Sequence, residues 1–488
     1  MKKEMKKKEV FEFLSGQADF LSAASDAVWD NPETCFQEAK SSEILCRALE
    51  EAGFAVERDV AGIKTAFTGT FGHGHPVIGF LGEFDALSGL SQESGCAEKS
   101  PLVPGGNGHG CGHNLLGVGA LAGAMGMKKY LEETGKEGTV IYFGTPAEEG
   151  GSGKTFMARE GCFDGLDCAL SWHPGNFNGA SSGSTLANCQ VYYRYKGVSS
   201  HAALTPHLGR SALDAVELLN VGVQFLREHI VPEARIHYAI TDTGGFAPNV
   251  VQPKAEVLYL MRAPTNVVLD DIYQRVTRIA QGAAMMTDTE VEVDFVKACS
   301  NTVPNDVLGQ LLTDNLMEAE KPTYSDSEVE FIRKIAATTP DGEKAGLRRR
   351  ITEIPDHRIT PEERARLLAR LDEPIHDFVM PFVPSNAVSP VSVDAGDVSW
   401  ITPTAMCGTA TWAAGTPAHS WQAVAVGKSE LAHKNMLLAG QVLAGAAIDL
   451  IEKPELLAEA KAELERRLNG VTYQCPIPKG VQPRVISK

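Results

Sequence analysis

Apolar and polar residues alternate along the first 186 residues in a pattern that predicts helices, followed by strands with helices between them. Between residues 10 and 53 the apolar positions recur with helical spacing. Further helices are predicted at residues 115–130 and from Lys154 onward. Strands fit the short apolar runs at residues 54–56, 65–67, 76–81, 139–143 and 167–172. This alternation indicates an α/β sheet covered on both faces, with ligands at the carboxyl ends of its strands.

The order of elements changes near Leu186. Strands are predicted at residues 191–195, 236–241, 255–262 and 290–295, and helices at residues 211–227 and 268–285. This β-α-β-β-α-β order is that of the ferredoxin-like unit. A chain of 488 residues exceeds the ~250–300 residues that one core supports. We predict an α/β catalytic domain with a central mixed sheet, in two parts at residues 1–186 and 299–488, and an inserted ferredoxin-like domain at residues 187–298.

The rest of the chain is less regular. Residues 318–372 are highly charged and include three consecutive arginines at 348–350. Loops rich in glycine, serine and proline are expected at residues 384–403, and a last long helix at residues 428–451.

Charge and composition exclude several classes of partner. The net charge is −17 and the pI about 5.3, which argues against large contacts with nucleic acid or anionic lipid. The lysine-rich start has no apolar segment behind it, and no run of about 18 apolar residues predicts a membrane span. We therefore expect a cytoplasmic protein whose ten cysteines stay reduced and, apart from Cys111, act as small buried hydrophobes.

Candidate metal ligands stand in a glycine-rich turn and at predicted strand ends. Cys111 and His113 lie two residues apart between glycines, and further candidates are Glu149, His173 and His419. Each alone is explained equally well by packing or by a local hydrogen bond. Together they indicate a metal site, because burying several such groups without partners is costly. Five ligands exceed the three typical of one catalytic zinc, so two metal ions bridged by Cys111 are plausible.

The neighbouring Glu148 is a candidate general base. A divalent metal lowers the pKa of a bound water from 15.7 to about 7, and hydrolysis then needs a group that carries the proton. Successive side chains that leave a strand point in different directions, so Glu149 can bind metal while Glu148 addresses the water. The metal can be Zn²⁺, Mn²⁺ or Co²⁺, and a thiolate favours zinc.

A resemblance to a phosphate-binding loop at residues 150–155 is excluded. The tail Gly153-Lys154-Thr155 fits the pattern, but Glu148 stands where its first glycine is required, and two carboxylates would repel a triphosphate.

Three residues of the inserted domain are candidates for substrate contact. His201 lies in a loop between strand and helix, where an imidazole can stabilise an oxyanion. Asn249 and Arg262 follow later, and a guanidinium can grip a carboxylate through two hydrogen bonds. By spacing alone, Arg262 is equally consistent with a solvated strand residue.

From residue 29 to residue 451 the chain resembles the M20 family of metal-dependent amidohydrolases and peptidases, in its aminobenzoyl-glutamate hydrolase and aminoacylase branch. The motifs that carry the resemblance are residues 82–87, 108–113, 145–151, 172–174, 200–202, 247–251 and 394–400. Two differences stand out. Asn114 follows the Cys-Gly-His turn where aminoacylases usually carry aspartate, which favours the aminobenzoyl-glutamate branch, and the charged stretch is longer than in most relatives.

The resemblance implies a role for each candidate. It implies a pair of divalent metal ions, Zn²⁺ or Mn²⁺, with Glu148 as general base and Asp85 as the carboxylate that orients a metal ligand. It also implies a homodimer in which His201 reaches the partner's site, while Asn249 and Arg262 hold the substrate carboxylate. The residues at the ligand positions are Cys111, His113, Glu149, His173 and His419.

The expected activity is cleavage of the amide of an N-acyl or N-aroyl amino acid, with p-aminobenzoyl-glutamate first. The alternatives are a dipeptide or another acylated amino acid as substrate, and a non-catalytic metal-binding subunit. Members of this branch can also function with a second, related subunit. Lys154 and Arg210 are cations that could recognise the side chain of the released amino acid, although their spacing commits neither.

Overall fold

The computed structural model describes residues 5–485, without the side chains of residues 341 and 344. The chain begins with three helices, as the helical spacing of residues 10–53 predicts. They are α1 (Lys7–Ser15), α2 (Ala18–Trp29) and α3 (Ala39–Glu51).

Strands and helices alternate over the next 130 residues, which confirms the α/β prediction. The elements are β1 (Ala55–Arg58), β2 (Phe67–His73), β3 (Val77–Glu83), α4 (His113–Thr134), β4 (Gly138–Thr145), α5 (Gly153–Arg159), β5 (Cys168–Gly175) and β6 (Phe177–Ala180). The strand predicted at residues 65–67 is shifted, because Thr65 and Ala66 belong to the turn before β2. Similarly, β4 ends at Thr145, so Glu148 and Glu149 lie in the turn that follows it.

The predicted β-α-β-β-α-β order is confirmed. After the short β7 (Ser184–Thr185) come β8 (Ala187–Lys196), α6 (Ala212–Leu226), β9 (Arg235–Asp242), β10 (Lys254–Ala263), α7 (Asn266–Thr287) and β11 (Glu290–Cys299). These strands form an antiparallel sheet in the order β11-β8-β10-β9. Alternate residues of β8 and β10 are buried, as expected for a sheet with one face against helices. The domain boundaries at residues 187 and 298 stay a prediction.

The charged stretch forms helices, although its sequence pattern predicts no element there. The remaining elements are α8 (Asp306–Glu318), α9 (Asp326–Ala336), α10 (Asp341–Thr352), α11 (Pro361–Ala369), β12 (His376–Val379), β13 (Val388–Ser389), α12 (Ala395–Ser399), β14 (Thr404–Ala410), α13 (Trp421–Val426), α14 (Glu430–Glu452) and α15 (Pro454–Leu468). Helices α9 and α11 begin with capping boxes at Ser325 and Thr360, which explains how such polar segments form helices. The predicted last long helix corresponds to α14, but another helix, α15, follows it.

The large sheet has eight strands in the order β1-β2-β4-β3-β5-β14-β6-β12. It is mixed, as predicted: β3, β4, β5 and β14 run parallel, whereas β1, β2 and β6 join through antiparallel pairs. The carboxyl ends of the four parallel strands meet at one edge. Because β3 ends at Glu83, β4 shortly before Glu148, and β5 just after His173, this edge positions the candidate site.

Helices α4 and α14 pack together against one face of this sheet. They approach closely at Gly440, where a Cβ atom would lie 2.5 Å from Cβ of Ala122. Helix α14 is long and apolar enough to cross a membrane, but 83% of its most apolar window is buried inside the protein. Its apolar character is therefore explained by its place in the core.

Candidate metal centre and active site

The glycine-rich turn before α4 is held in a conformation that larger residues could not adopt. Gly112 has a φ of 77°, and a Cβ atom there would lie 2.9 Å from Cγ of Pro174. A Cβ atom on Gly110 would lie 2.4 Å from a methyl group of Leu90. The backbone N–H of His419 donates to the carbonyl oxygen of Gly110 at 2.9 Å. The turn thus brings a residue more than 300 positions away next to Cys111 and His113.

Cys111, His113 and His173 form the first cluster of potential metal ligands. One ligand atom from each lies within 4.8 Å of the other two. The sulfur of Cys111 is 3.4 Å from Nε2 of His173. Nδ1 of His173 is 2.8 Å from the carbonyl oxygen of Pro174, a contact that orients the ring so that Nε2 faces the sulfur.

Cys111 also belongs to a second cluster, with Glu149 and His419. Nε2 of His419 lies 3.3 Å from Oε2 of Glu149. Burial opposes ionisation of Glu149, but the hydrogen bond from His419 and the charge of His113 outweigh it and lower the pKa of Glu149 to about 2. His419 adopts a φ of 59°, and its side chain is 52% exposed, so this cluster is the open end of the site.

Asp85 connects the two clusters. Its Oδ1 is 2.9 Å from Nδ1 of His113, and its Oδ2 accepts a hydrogen bond of 2.9 Å from the backbone N–H of Glu149. The carboxylate is 1% exposed. One buried aspartate can therefore orient candidate ligands of both clusters, which is the arrangement that the orienting role requires.

Glu148 lies in the turn between the two clusters and a third group of acidic residues. The preceding Ala147 has a φ of 60°, and its N–H donates to Oε1 of Glu38 at 3.1 Å, which holds the turn. Burial and the charges of Glu83 and Glu149 raise the pKa of Glu148 well above its ordinary value. A carboxyl group with a raised pKa can both accept and return a proton near neutral pH.

Glu83 and Lys154 are parts of the site that sequence reasoning missed. Nζ of Lys154 is completely buried and lies 2.6 Å from Oε1 of Glu83 and 2.7 Å from Oδ1 of Asp394. The suggestion that Lys154 recognises a substrate side chain is therefore wrong, because two carboxylates already engage it away from solvent. Residues 82–87 and 394–400 belong to the motifs noted above, which was the only sequence signal for Glu83 and Asp394.

The three candidates of the inserted domain lie apart from the clusters. His201 is exposed and forms an isolated β-bridge with Val250, next to Asn249. Arg262 is half-buried in β10, and its Nη1 donates to Oγ of Ser392 at 2.9 Å. Within residues 5–485, none of the three makes a hydrogen bond or ion pair with a residue of the two clusters. Arg210, the other suggested cation, pairs with Asp288 at 3.2 Å.

Asn114 points away from the site. Its Nδ2 donates to Oγ of Ser25 at 3.0 Å and to the carbonyl oxygen of Gly427 at 3.1 Å, and the residue is fully buried. Its amide thus joins α4 to α2 and to the turn before α14, and has no direct part in the clusters.

The residues present fit a pair of metal ions. A thiol, three imidazoles and a carboxylate are the donors that Zn²⁺ and related ions prefer. Nε2 of His113 and Oε1 of Glu149 are buried and make no hydrogen bond. Burial raises the pKa of the Cys111 thiol, so a thiolate there needs a nearby cation.

Comparison with known proteins agrees with this geometry. Residues 79–339, just over half of the chain, match the model of peptidase family M20/M25/M40. The chain belongs to this family. Within it, the chain is 48% identical over 461 residues to one of the two subunits of p-aminobenzoyl-glutamate hydrolase from Escherichia coli K12, which covers 94% of this chain and 95% of that protein. It is 31% identical over 326 residues to the mouse Xaa-Arg dipeptidase, covering 64% and 71% of the two chains.

Among solved structures, the fold matches that of a Bacillus subtilis protein described as a dinuclear metal binding peptidase from the M20 family. The TM-score is 0.52 and the identity 17%, over 89% of this chain and 99% of that one. This likeness concerns the fold alone.

Proposed function

We propose that this protein is a metal-dependent amidohydrolase that cleaves the amide bond of an N-aroyl or N-acyl amino acid. The observation that carries the proposal is the shared position of Cys111, whose sulfur belongs to both ligand clusters beside Glu148. One bridging thiolate with two ligands on either side would hold two divalent ions. Membership of a peptidase family supports hydrolysis of this kind of bond.

The proposed substrate is p-aminobenzoyl-glutamate. It is supported by 48% identity, along almost the whole of both chains, to a protein named for hydrolysing that compound. The products would be p-aminobenzoate and glutamate.

The mechanism assigns a step to Glu148. When bound, the ions would polarise the scissile carbonyl and lower the pKa of water. Glu148 takes a proton from the attacking water as its oxygen forms a bond to the carbonyl carbon. When the carbon–nitrogen bond then breaks, Glu148 delivers that proton to the leaving nitrogen. Asp85 keeps His113 and the backbone of Glu149 in register throughout.

We propose Zn²⁺ or Mn²⁺ as the ions, with the thiol of Cys111 favouring zinc. The proposed ligands are the five residues of the two clusters. All ten cysteines of the structure are free, which is consistent with the proposed cytoplasmic location.

The inserted domain would complete the site of a neighbouring copy of the chain. His201 is exposed and lies apart from the clusters of its own chain, which supports a homodimer in which it reaches the partner's site. There it would stabilise the oxyanion, while Asn249 and Arg262 hold the substrate carboxylate. The Escherichia coli relative is named as one of two subunits, which also supports a hetero-oligomer with a related chain.

A dipeptide is the second candidate substrate, favoured by the likeness to the Xaa-Arg dipeptidase. A substrate panel with the purified chain tests both proposals. Chromatography should detect p-aminobenzoate and glutamate, and a chelator should stop their release. Turnover of Xaa-Arg dipeptides alone would move the assignment to the second candidate. No turnover of any amide by the metal-loaded chain would favour a non-catalytic subunit.

A further inference from the structure

Glu83 lies at the buried end of the site, as the last residue of β3. Its Oε2 is 3.3 Å from Nε2 of His113, and its side chain is 3% exposed. No hydrogen bond joins the two atoms, since Nε2 of His113 has no hydrogen-bond partner. The pair is therefore close, buried and unexplained by a direct hydrogen bond.

The spacing of this pair matches that of two pairs of proposed metal ligands. Cys111 and His173 are separated by 3.4 Å, and Glu149 and His419 by 3.3 Å, between their ligand atoms. Two donors that lie about 2.1 Å from one ion in tetrahedral geometry are about 3.4 Å apart. His113 and Glu83 thus have the separation expected of two ligands of a common ion.

We propose that Glu83 is a sixth metal ligand, which contributes Oε2 to the ion that His113 binds. The inference rests on the proposed function, because it requires metal at the site. Ligand atoms of Glu83, His113 and Glu148 lie within 4.8 Å of one another, so this ion would also lie beside the general base.

Lys154 and Asp394 make such a ligand possible in the interior. A buried carboxylate without a partner is costly, and Lys154 supplies the opposite charge 2.6 Å from Oε1 of Glu83. Asp394 in turn fixes Lys154, since its Oδ1 lies 2.7 Å from Nζ and its Oδ2 accepts from the backbone N–H of Lys154 at 2.9 Å. Oε1 of Glu83 is thereby engaged, and Oε2 is left to face His113.

Substitution of Glu83 tests the inference through metal binding. Glu83→Gln keeps the size and leaves an oxygen for Lys154, but removes the anionic ligand. With the full chain, metal content after dialysis against a weak chelator should fall from two ions to one. The loss in affinity for that ion should exceed the ~10–100-fold typical of residues that only orient a ligand. In the Co²⁺-loaded protein, the visible absorption bands should shift, because the ligand set changes.

Glu83→Asp is the second variant, since it keeps the charge but withdraws the oxygen by one methylene, and it should shift the cobalt bands as well. Glu463→Gln is the matched control. Glu463 is a buried glutamate that accepts hydrogen bonds at the start of α8, so its substitution should leave metal content unchanged.

Unchanged cobalt bands in both Glu83 variants would overturn the inference, whether or not the affinity falls. A wild-type chain that binds no ions would overturn the proposed function as well. A wild-type chain that binds two ions, with Glu83 variants that match it, would overturn this inference alone.

Discussion

The sulfur of Cys111 lies 3.4 Å from Nε2 of His173 and, on its other side, belongs to the cluster formed by Glu149 and His419. One atom thus connects two groups of donors that come from distant parts of the chain. If both groups bind metal, Cys111 is the residue whose loss affects both ions.

We expect Cys111→Ser to weaken both metal sites. A hydroxyl group replaces the bridging thiolate, so metal affinity should fall for both ions and turnover by about 100-fold or more, beyond the ~10–100-fold effect of a residue that only orients a ligand. Elemental analysis and the amide-cleavage assay measure the two effects. Cys96→Ser, a change at a half-buried cysteine outside the clusters, is the control. A Cys111→Ser chain that keeps both ions would contradict the bridging role.

The five ligand candidates could be predicted from sequence because they stand in tight turns or at strand ends. Strand periodicity locates the edge of a parallel sheet, and the glycines of residues 108–112 mark a turn that only they allow. Glu83 could not be found in this way, since it closes an apolar strand and its partner, Lys154, lies in a segment that imitates a phosphate-binding loop. The helices of residues 326–369 escaped prediction because capping boxes and charge pairs, and not an apolar stripe, define them.

Acid should destabilise the protein partly through His109. The ring is 1% exposed, and burial, together with the charge of His113, lowers its pKa to about 3. Between pH 6.5 and 3 the unfolded chain therefore binds a proton that the folded chain does not, so stability is present above pH 6.5 and is lost as the pH falls.

In urea unfolding of the metal-free protein, wild type should lose about 2 kcal/mol more than His109→Gln between pH 7 and pH 5. Parallel losses in the two proteins would show that His109 titrates normally in the folded state.

Subunit mixing tests the proposed position of His201. His201→Ala and Glu148→Ala chains should each be nearly inactive alone. In a homodimer where His201 serves the partner's site, a mixed dimer contains one intact site, so random exchange should restore roughly a quarter of wild-type activity. Native mass spectrometry establishes that exchange has occurred. Exchanged dimers that stay inactive would place His201 in the site of its own chain.

The proposed mechanism is tested most sharply by comparing metal content and turnover in Glu148→Gln. We expect two bound ions, as in wild type, and a rate of p-aminobenzoyl-glutamate cleavage lower by roughly 100-fold to 10,000-fold, the usual contribution of a general acid–base group. A variant with full metal content that cleaves the amide at the wild-type rate would contradict the mechanism.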